Sequence, residues 1–309
     1  MSAALEQRVL CIGPQARAPR LSVLTPFHKH DPSALLQRMA PASRDVEFVL
    51  LDDGSASAEL LSNVVKAAEA LRTSVRIVIW ARNRGRATGR NRLIEEARGE
   101  YVLFLDADLI PDQSDFLHRW LTTIRNERPL VAFGGLSLEQ AEETPDTALH
   151  FNLFGRSDCA PARLRARAAA QSTAASNLLV RRDFLLATPF DDGFTGWGFE
   201  DTDWALTAAR HTRIQHIDNP VTHAGLDSIT TLMRKSAEAG PNFARLAAKH
   251  PKAVRRFAAY RAARTVRPVR GLRSAFAWFA RDPLRATPMP IRRAAFKLYR
   301  ASHFAEHLA

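Results

Sequence analysis

Two cysteines in 309 residues, Cys11 and Cys159, are too few for a disulfide framework, and they lack the paired spacing of a zinc or redox site. A reducing compartment is therefore expected. No apolar run reaches the roughly 18 residues that a membrane-spanning helix needs. The start, "MSAALEQRVLCIGPQ", has no long apolar core behind a basic stretch, so a secretory signal is not expected. Acidic residues are scarce after Thr231, with 3 Asp and Glu against 18 Lys and Arg. The first 230 residues instead hold 29 acidic and 26 basic side chains, so the net charge of +12 belongs to the C-terminal part. What is plentiful is core-forming: 46% of the residues are hydrophobic, enough for a sizeable globular interior.

The first 135 residues alternate strand-like and helix-like segments. "RLSVLTPF", "DVEFVLLDDGS", "VRIVIW" and "EYVLFLDAD" read as strands. Between them, "DPSALLQRMA" reads as a helix capped by Asp31, and "AELLSNVVKAAEALR" carries an amphipathic stripe. "GRATGRNRLIEEARG" reads as a helix ended by Gly99. This alternation predicts an α/β fold with a mainly parallel sheet flanked by helices. Ligands of such sheets sit beyond the carboxyl ends of the strands. Three of the four ends carry candidate groups there: Thr25–Phe27, Asp52–Asp53 and Asp106–Asp108.

An extended chain sends Asp106 and Asp108 to one face, where their repulsion calls for a cation. A hard divalent ion that also bridges phosphate oxygens meets that need, although D-x-D alone also suits a solvated strand end. Asp52 and Asp53 can accept from a nucleotide base or ribose, or can simply form an Asp-Gly turn. The five arginines of "RNRGRATGRNR", at a helix start, suit a diphosphate or a solvated basic face. In "GFTGWGFEDTDWAL", Trp197 and Phe199 offer flat surfaces to a sugar ring, and Glu200 and Asp201 open a helix. An ionised Asp201 there can act as a general base towards a hydroxyl, or merely cap the helix. "IQHIDNPVTHAG" reads as a final short strand. Glu139–Ser172 is less regular, and the region beyond Thr231 reads as helical and arginine-rich, interrupted by prolines.

Taken in order, "SVLTPFH", "LLDDGS", "ARNRGRATGRNR", "FLDADLIPD" and "GWGFEDTDWALTAAR" resemble the family 2 glycosyltransferases of the GT-A fold, over about residues 20–225. "GWGFEDTDW" also looks like the C-terminal W-G-x-E-D signature of galactosyl- and N-acetylgalactosaminyltransferases. The resemblance implies a nucleotide-sugar donor, a UDP-sugar above all, a divalent metal (Mn²⁺ or Mg²⁺) and an inverting transfer to a glycan or lipid-linked acceptor. It implies that Thr25, Pro26 and Phe27 line the nucleotide pocket and that Asp53, with Asp52 nearby, contacts the base. Arg90 would approach the nucleotide or its phosphates, and Asp106 the ribose. Asp108 and His223 would bind the metal. Asp201 would be the catalytic base supported by Glu200, with Trp197, Gly198 and Phe199 at the acceptor. Thr202 stands where such signatures often have a second aspartate, which leaves the acceptor open.

The division expected is a lead-in over 1–19, a GT-A domain over 20–230 and a basic helical extension over 231–309. The protein is expected to be cytoplasmic. The extension mixes Arg with aromatic and aliphatic residues and suits an anionic membrane surface, a partner, or solvent alone; nucleic acid is not expected. Two rival readings stay open. A sugar-phosphate nucleotidyltransferase shares the sheet and its acidic ends, but "TPFHKHDP" lacks the glycine-rich loop it needs. A non-catalytic binding protein would have no use for Asp108, Glu200 and Asp201.

Overall fold

A computed structural model describes residues 7–15 and 18–308. The strands are β1 (Gln7–Ile12), β2 (Leu21–Phe27), β3 (Val46–Asp52), β4 (Val75–Trp80), β5 (Tyr101–Phe104), β6 (Leu109–Pro111), β7 (Val131–Phe133), β8 (Leu136–Ser137), β9 (Leu178–Arg181), β10 (Ile214–His216) and β11 (Val221–His223). Eight of them form one sheet in the order β1-β4-β3-β2-β5-β9-β7-β10, and β6-β11-β8 form a small second sheet. The central run β4-β3-β2-β5 is parallel. Its strands are near-continuous apolar runs because helices cover both faces, and β3 is buried along its whole length. The parallel run sends the ends of β2, β3 and β5 to one rim, which is where the site lies.

Several local features differ from the sequence reading, each for a visible reason. Residues taken as a lead-in contain β1, which pairs antiparallel with β4 and closes that edge of the sheet. Asp31 accepts from the Ser33 N–H, but the helix opens only after Pro32. Gly99 does not end a helix in a left-handed turn. The helix Arg86–Glu96 stops earlier, and a Cβ on Gly99 would collide with the backbone of Ser22. "IQHIDNPVTHAG" holds two strands, β10 and β11, one in each sheet. β5 ends at Phe104, and the following D-x-D is a turn in which the Leu109 N–H reaches the Asp106 carbonyl at 3.3 Å. Asp106 and Asp108 therefore do not alternate on a strand and meet different partners.

The helices after residue 228 do not pack only among themselves. Phe243, Leu246, Phe304 and Leu308 share one apolar cluster with Phe194, Trp197 and Phe199 of the glycine-rich loop. Leu232, Met233, Ala295 and Phe296 share another with Leu149, from the irregular region. The 19-residue helix Met289–His307 joins both clusters. Pro241, Pro251 and Pro290 all sit in first helical turns, where a missing N–H costs nothing. Among the described residues no helix is long and apolar enough to cross a membrane.

Candidate active site

The end of β3 is fixed by its own loop. Asp52 accepts from the Ser55 N–H at 2.8 Å, and Asp53 accepts from the N–H groups of Arg84 and Gly85 at 2.6 and 3.1 Å. Burial raises the Asp53 pKa, and those two backbone donors work against the rise. This contact ties β3 to Gly85, the residue just before the helix Arg86–Glu96. Of the three residues ending β2, Thr25 and Phe27 are packed into the core and only Pro26 keeps accessible surface. The Thr25 hydroxyl is buried without a hydrogen-bond partner.

The next helix carries Arg90, only 2% exposed, across the base of the cleft. Its guanidinium meets Glu200 at 2.9 Å and Asp106 at 3.2 Å. Two acids 94 positions apart in the chain thus share one buried cation. Ser176 also donates to Asp106, at 2.7 Å. Burial alone would raise the pKa of both acids, but Arg90 and then Arg86 outweigh it and hold them below the ordinary range. Both terminal nitrogens of Arg90 are taken up by these two acids, while its Nε is buried without a hydrogen-bond partner. Arg86, one turn earlier, is half exposed and lies 3.6 Å from Glu200. Burial opposes its charge, yet the fields of Glu200, Asp106, Asp201 and Asp108 prevail and raise its pKa.

Asp201 follows Glu200 in the first turn of the helix Glu200–Ala208 and accepts from the Thr202 N–H at 2.7 Å. Its pKa is pushed up to about 6, chiefly by burial and then by the negative charge of Glu200. A carboxylate so tuned is ionised at neutral pH and still basic enough to take a proton.

Asp108 faces β11, where its carboxylate lies 3.4 Å from His223 Nε2. His223 stacks on Phe154, with ring centroids 4.9 Å apart, and its Nδ1 is buried without a partner. The pair offers one oxygen and one nitrogen donor to a cation. Gly225 packs directly over Asp108, and a Cβ there would collide with the carboxylate. Among the described residues no three His, Cys, Asp or Glu side chains form a metal-ligand group. One hard carboxylate oxygen and one borderline imidazole nitrogen, completed by phosphate oxygens, nevertheless suit a divalent ion that takes few protein ligands, Mn²⁺ better than the strictly oxygen-seeking Mg²⁺.

The glycine-rich loop is held from a distance. The Asn242 side-chain amide, on the helix Gly240–Lys249, donates to the carbonyls of Thr195, Trp197 and Gly198 at 2.9, 3.3 and 2.9 Å. Phe199 adopts a left-handed φ of 72° and packs against Phe243 and Phe304, so it belongs to a helical core and not to a sugar-facing wall. Trp197 keeps partial exposure, with the Lys235 ammonium 5.8 Å from its ring. Behind the loop, buried Asp203 bonds to His250 at 2.8 Å and to Lys249 at 2.8 Å.

Residues 22–185, more than half of the chain, match the family model described as Glycosyl transferase family 2. The chain belongs to glycosyl transferase family 2. An N-acetylglucosaminyltransferase of Bradyrhizobium elkanii is 33% identical over 97 residues, which is 30% of this chain and 53% of that relative. The chain thus spans about half the length of that curated relative, and 36% and 40% of two others it matches. Two solved structures share its GT-A fold at low identity. TarS of Staphylococcus aureus (residues 1–349), in complex with UDP-GlcNAc, has a TM-score of 0.52 and 16% identity, covering 92% of this chain and 90% of that one. The mannosyltransferase PcManGT of Pyrobaculum calidifontis, in complex with GDP-Man and Mn²⁺, has a TM-score of 0.56 and 17% identity, covering 94% and 88%.

Asp53, Asp106, Asp108, Glu200, Asp201 and His223 are thus joined around the helix Arg86–Glu96 and the turn after β5. Four residues that line the cleft or brace its loop escape sequence reasoning. Arg86 lies in the noticed arginine run but carries no mark that separates it from Arg90. Gly225, Asn242 and His250 are single residues whose neighbours come from remote segments, so no local spacing announces them.

Proposed function

We propose that the protein transfers a hexose or N-acetylhexosamine from a nucleoside diphosphate sugar to an acceptor hydroxyl, with inversion at the anomeric carbon. The observation that carries this reading is the buried Arg90 bridge between Asp106 and Glu200. It joins Asp106, just after β5, to Glu200, the neighbour in sequence of Asp201, whose raised pKa of about 6 fits a base. The structures of similar fold with UDP-GlcNAc and with GDP-Man and Mn²⁺ support the donor class. A UDP-sugar is the donor favoured here.

In this scheme Asp53 and Asp52 border the base pocket beside Pro26, and half-exposed Arg86 faces the diphosphate in place of Arg90. Asp106 lies on the ribose side. Asp108 and His223 would hold a divalent cation, which when bound would supply positive charge against the departing diphosphate. The loop that presents Trp197 forms the acceptor wall, consistent with the W-G-x-E-D signature. Asp201 removes the acceptor hydroxyl proton as that oxygen bonds to the anomeric carbon. The bond from that carbon to the phosphate oxygen breaks, and its electron pair leaves with the nucleoside diphosphate. One displacement from the face opposite the leaving group gives inversion. Glu200 keeps its charge beside the base because Arg90 neutralises it, so it orients Asp201's surroundings and does not compete for the proton.

The test is to incubate the full chain with a panel of UDP- and GDP-sugars and Mn²⁺, and to measure nucleoside diphosphate release and thermal stabilisation. Release with at least one donor, and an inverted anomeric configuration by NMR when an acceptor is found, is expected. A chain that neither binds nor hydrolyses any donor refutes the assignment.

A further inference from the structure

Among the described residues, seven of the ten large apolar side chains that stand exposed lie between residues 269 and 298. Scattered exposed leucines are ordinary on any protein, but this concentration in 30 residues is not. The segment is an antiparallel pair of helices, Arg273–Arg281 and Met289–His307, joined by a short tip. Leu284, on the tip, is 72% exposed, and Leu272, Trp278, Phe279 and Ile291 are each about half exposed.

The charge around these side chains is mainly of one sign. From Ala258 to Leu308 the chain holds 11 Lys and Arg against two acids, Glu306, which pairs with Arg273 at 2.6 Å, and Asp282. Asp282 is turned onto the tip itself, where it accepts from the N–H groups of Ala286 and Thr287 at 2.9 Å each. Arg281, Arg285 and Lys297 are exposed beside the apolar residues. The preceding helix, Ala258–Val266, adds a concavity of about 720 Å³ lined by Arg255, Tyr260, Arg261, Arg264 and Thr265.

We propose that this helical pair is a docking surface for an anionic lipid bilayer. The tip and the exposed rings enter the headgroup region, and the arginines meet lipid phosphates. Charge selects this occupant. A second copy of the chain, paired about a two-fold axis, would set arginine against arginine. A nucleic acid would satisfy the arginines but leave Leu284 and Ile291 without a role. The inference concerns where the enzyme works and does not depend on the reaction assigned to it.

The full chain is mixed with vesicles of equimolar phosphatidylglycerol and phosphatidylcholine, or of phosphatidylcholine alone, and floated on a density gradient. Association at least about tenfold stronger with the anionic vesicles, and weakened by salt, is expected. The double variant Leu284→Glu, Ile291→Glu alters two exposed side chains, should keep the fold by circular dichroism, and should lose most of that association. Phe279→Ser provides a second, uncharged variant and should weaken it too. Equal behaviour with both vesicle types, or no association, overturns the proposal. So does a concentration-dependent dimer, or retention on nucleic acid, that the wild type shows in place of vesicle binding.

Discussion

The two walls of the cleft are held by different means. On the sheet side, the two carboxylates at the end of β3 are pinned by backbone of the same core. Asp52 takes the Ser55 N–H, and Asp53 takes those of Arg84 and Gly85. On the loop side, the residues before Glu200 are held by a side chain more than 40 positions later, Asn242, and by aromatic packing in a separate cluster. A sheet rim is rigid because every strand is fixed by its neighbours. A loop clamped by one amide can be loosened while the sheet stays intact. In the proposed reaction the first wall would bind the donor and the second would select and activate the acceptor.

The sharpest way to break this comparison is Asp201→Asn. Removing a positioned base should lower transfer by about 10²–10⁴-fold, while the donor dissociation constant, measured by calorimetry, stays within a factor of about two. Loss of donor binding together with transfer would mean that the two walls are not separable.

Asn242→Ala comes next. It leaves three loop carbonyls without their donor, at a stability cost of about 1–3 kcal/mol. Because misplacement by about 1 Å can cost on the order of 100-fold, transfer should fall about 10–100-fold. Donor hydrolysis and donor affinity, which depend on the sheet wall, should change little. Asn242→Asp should be worse than Asn242→Ala, since a carboxylate would face those carbonyls. Equal loss of donor affinity and transfer would show that the helices brace the whole cleft.

The same contrast explains what the sequence discloses. The parallel strands, their acidic ends and the helix of Arg86–Glu96 follow from apolar runs and turn residues close to one another in the chain. The Arg90 bridge does not, because Glu200 reaches it only after β9 has inserted beside β5 and the chain has returned. Phe199 reads as a sugar-stacking ring because its partners, Phe243 and Phe304, lie far down the chain. The C-terminal helices read as an appendage for a similar reason. Their amphipathic stripes show that something is covered, but not that the covered surface is the loop before Asp201.

Gly225→Ala probes the sheet wall by a smaller change. The added methyl group would push Asp108 away from His223, and residues that orient a metal ligand typically matter by about 10–100-fold in affinity. Mn²⁺ titration followed by intrinsic fluorescence in the presence of UDP should show weakening of that order, with the folded fraction checked by circular dichroism, since the methyl group also meets the Asp108 Cβ. Unchanged Mn²⁺ affinity would remove Asp108 from the metal site.

The smallest effect concerns pH and tests how the walls meet. Asp201 takes a proton only when ionised, so kcat/KM should rise with pH up to about 6 and level off above it. Below that point it should fall by about tenfold per pH unit. After burial, the charge of Glu200 is the main influence raising this pKa. Glu200→Gln removes that charge but leaves Arg90 and Arg86, which favour the ionised form of Asp201. The acid limb should therefore move to lower pH, with little change in rate at pH 8 from this cause. A limb that stays in place would assign the shift to burial alone. A limb that moves upward would mean that Asp201 is not the group that titrates, and the base would have to be sought elsewhere on the loop wall.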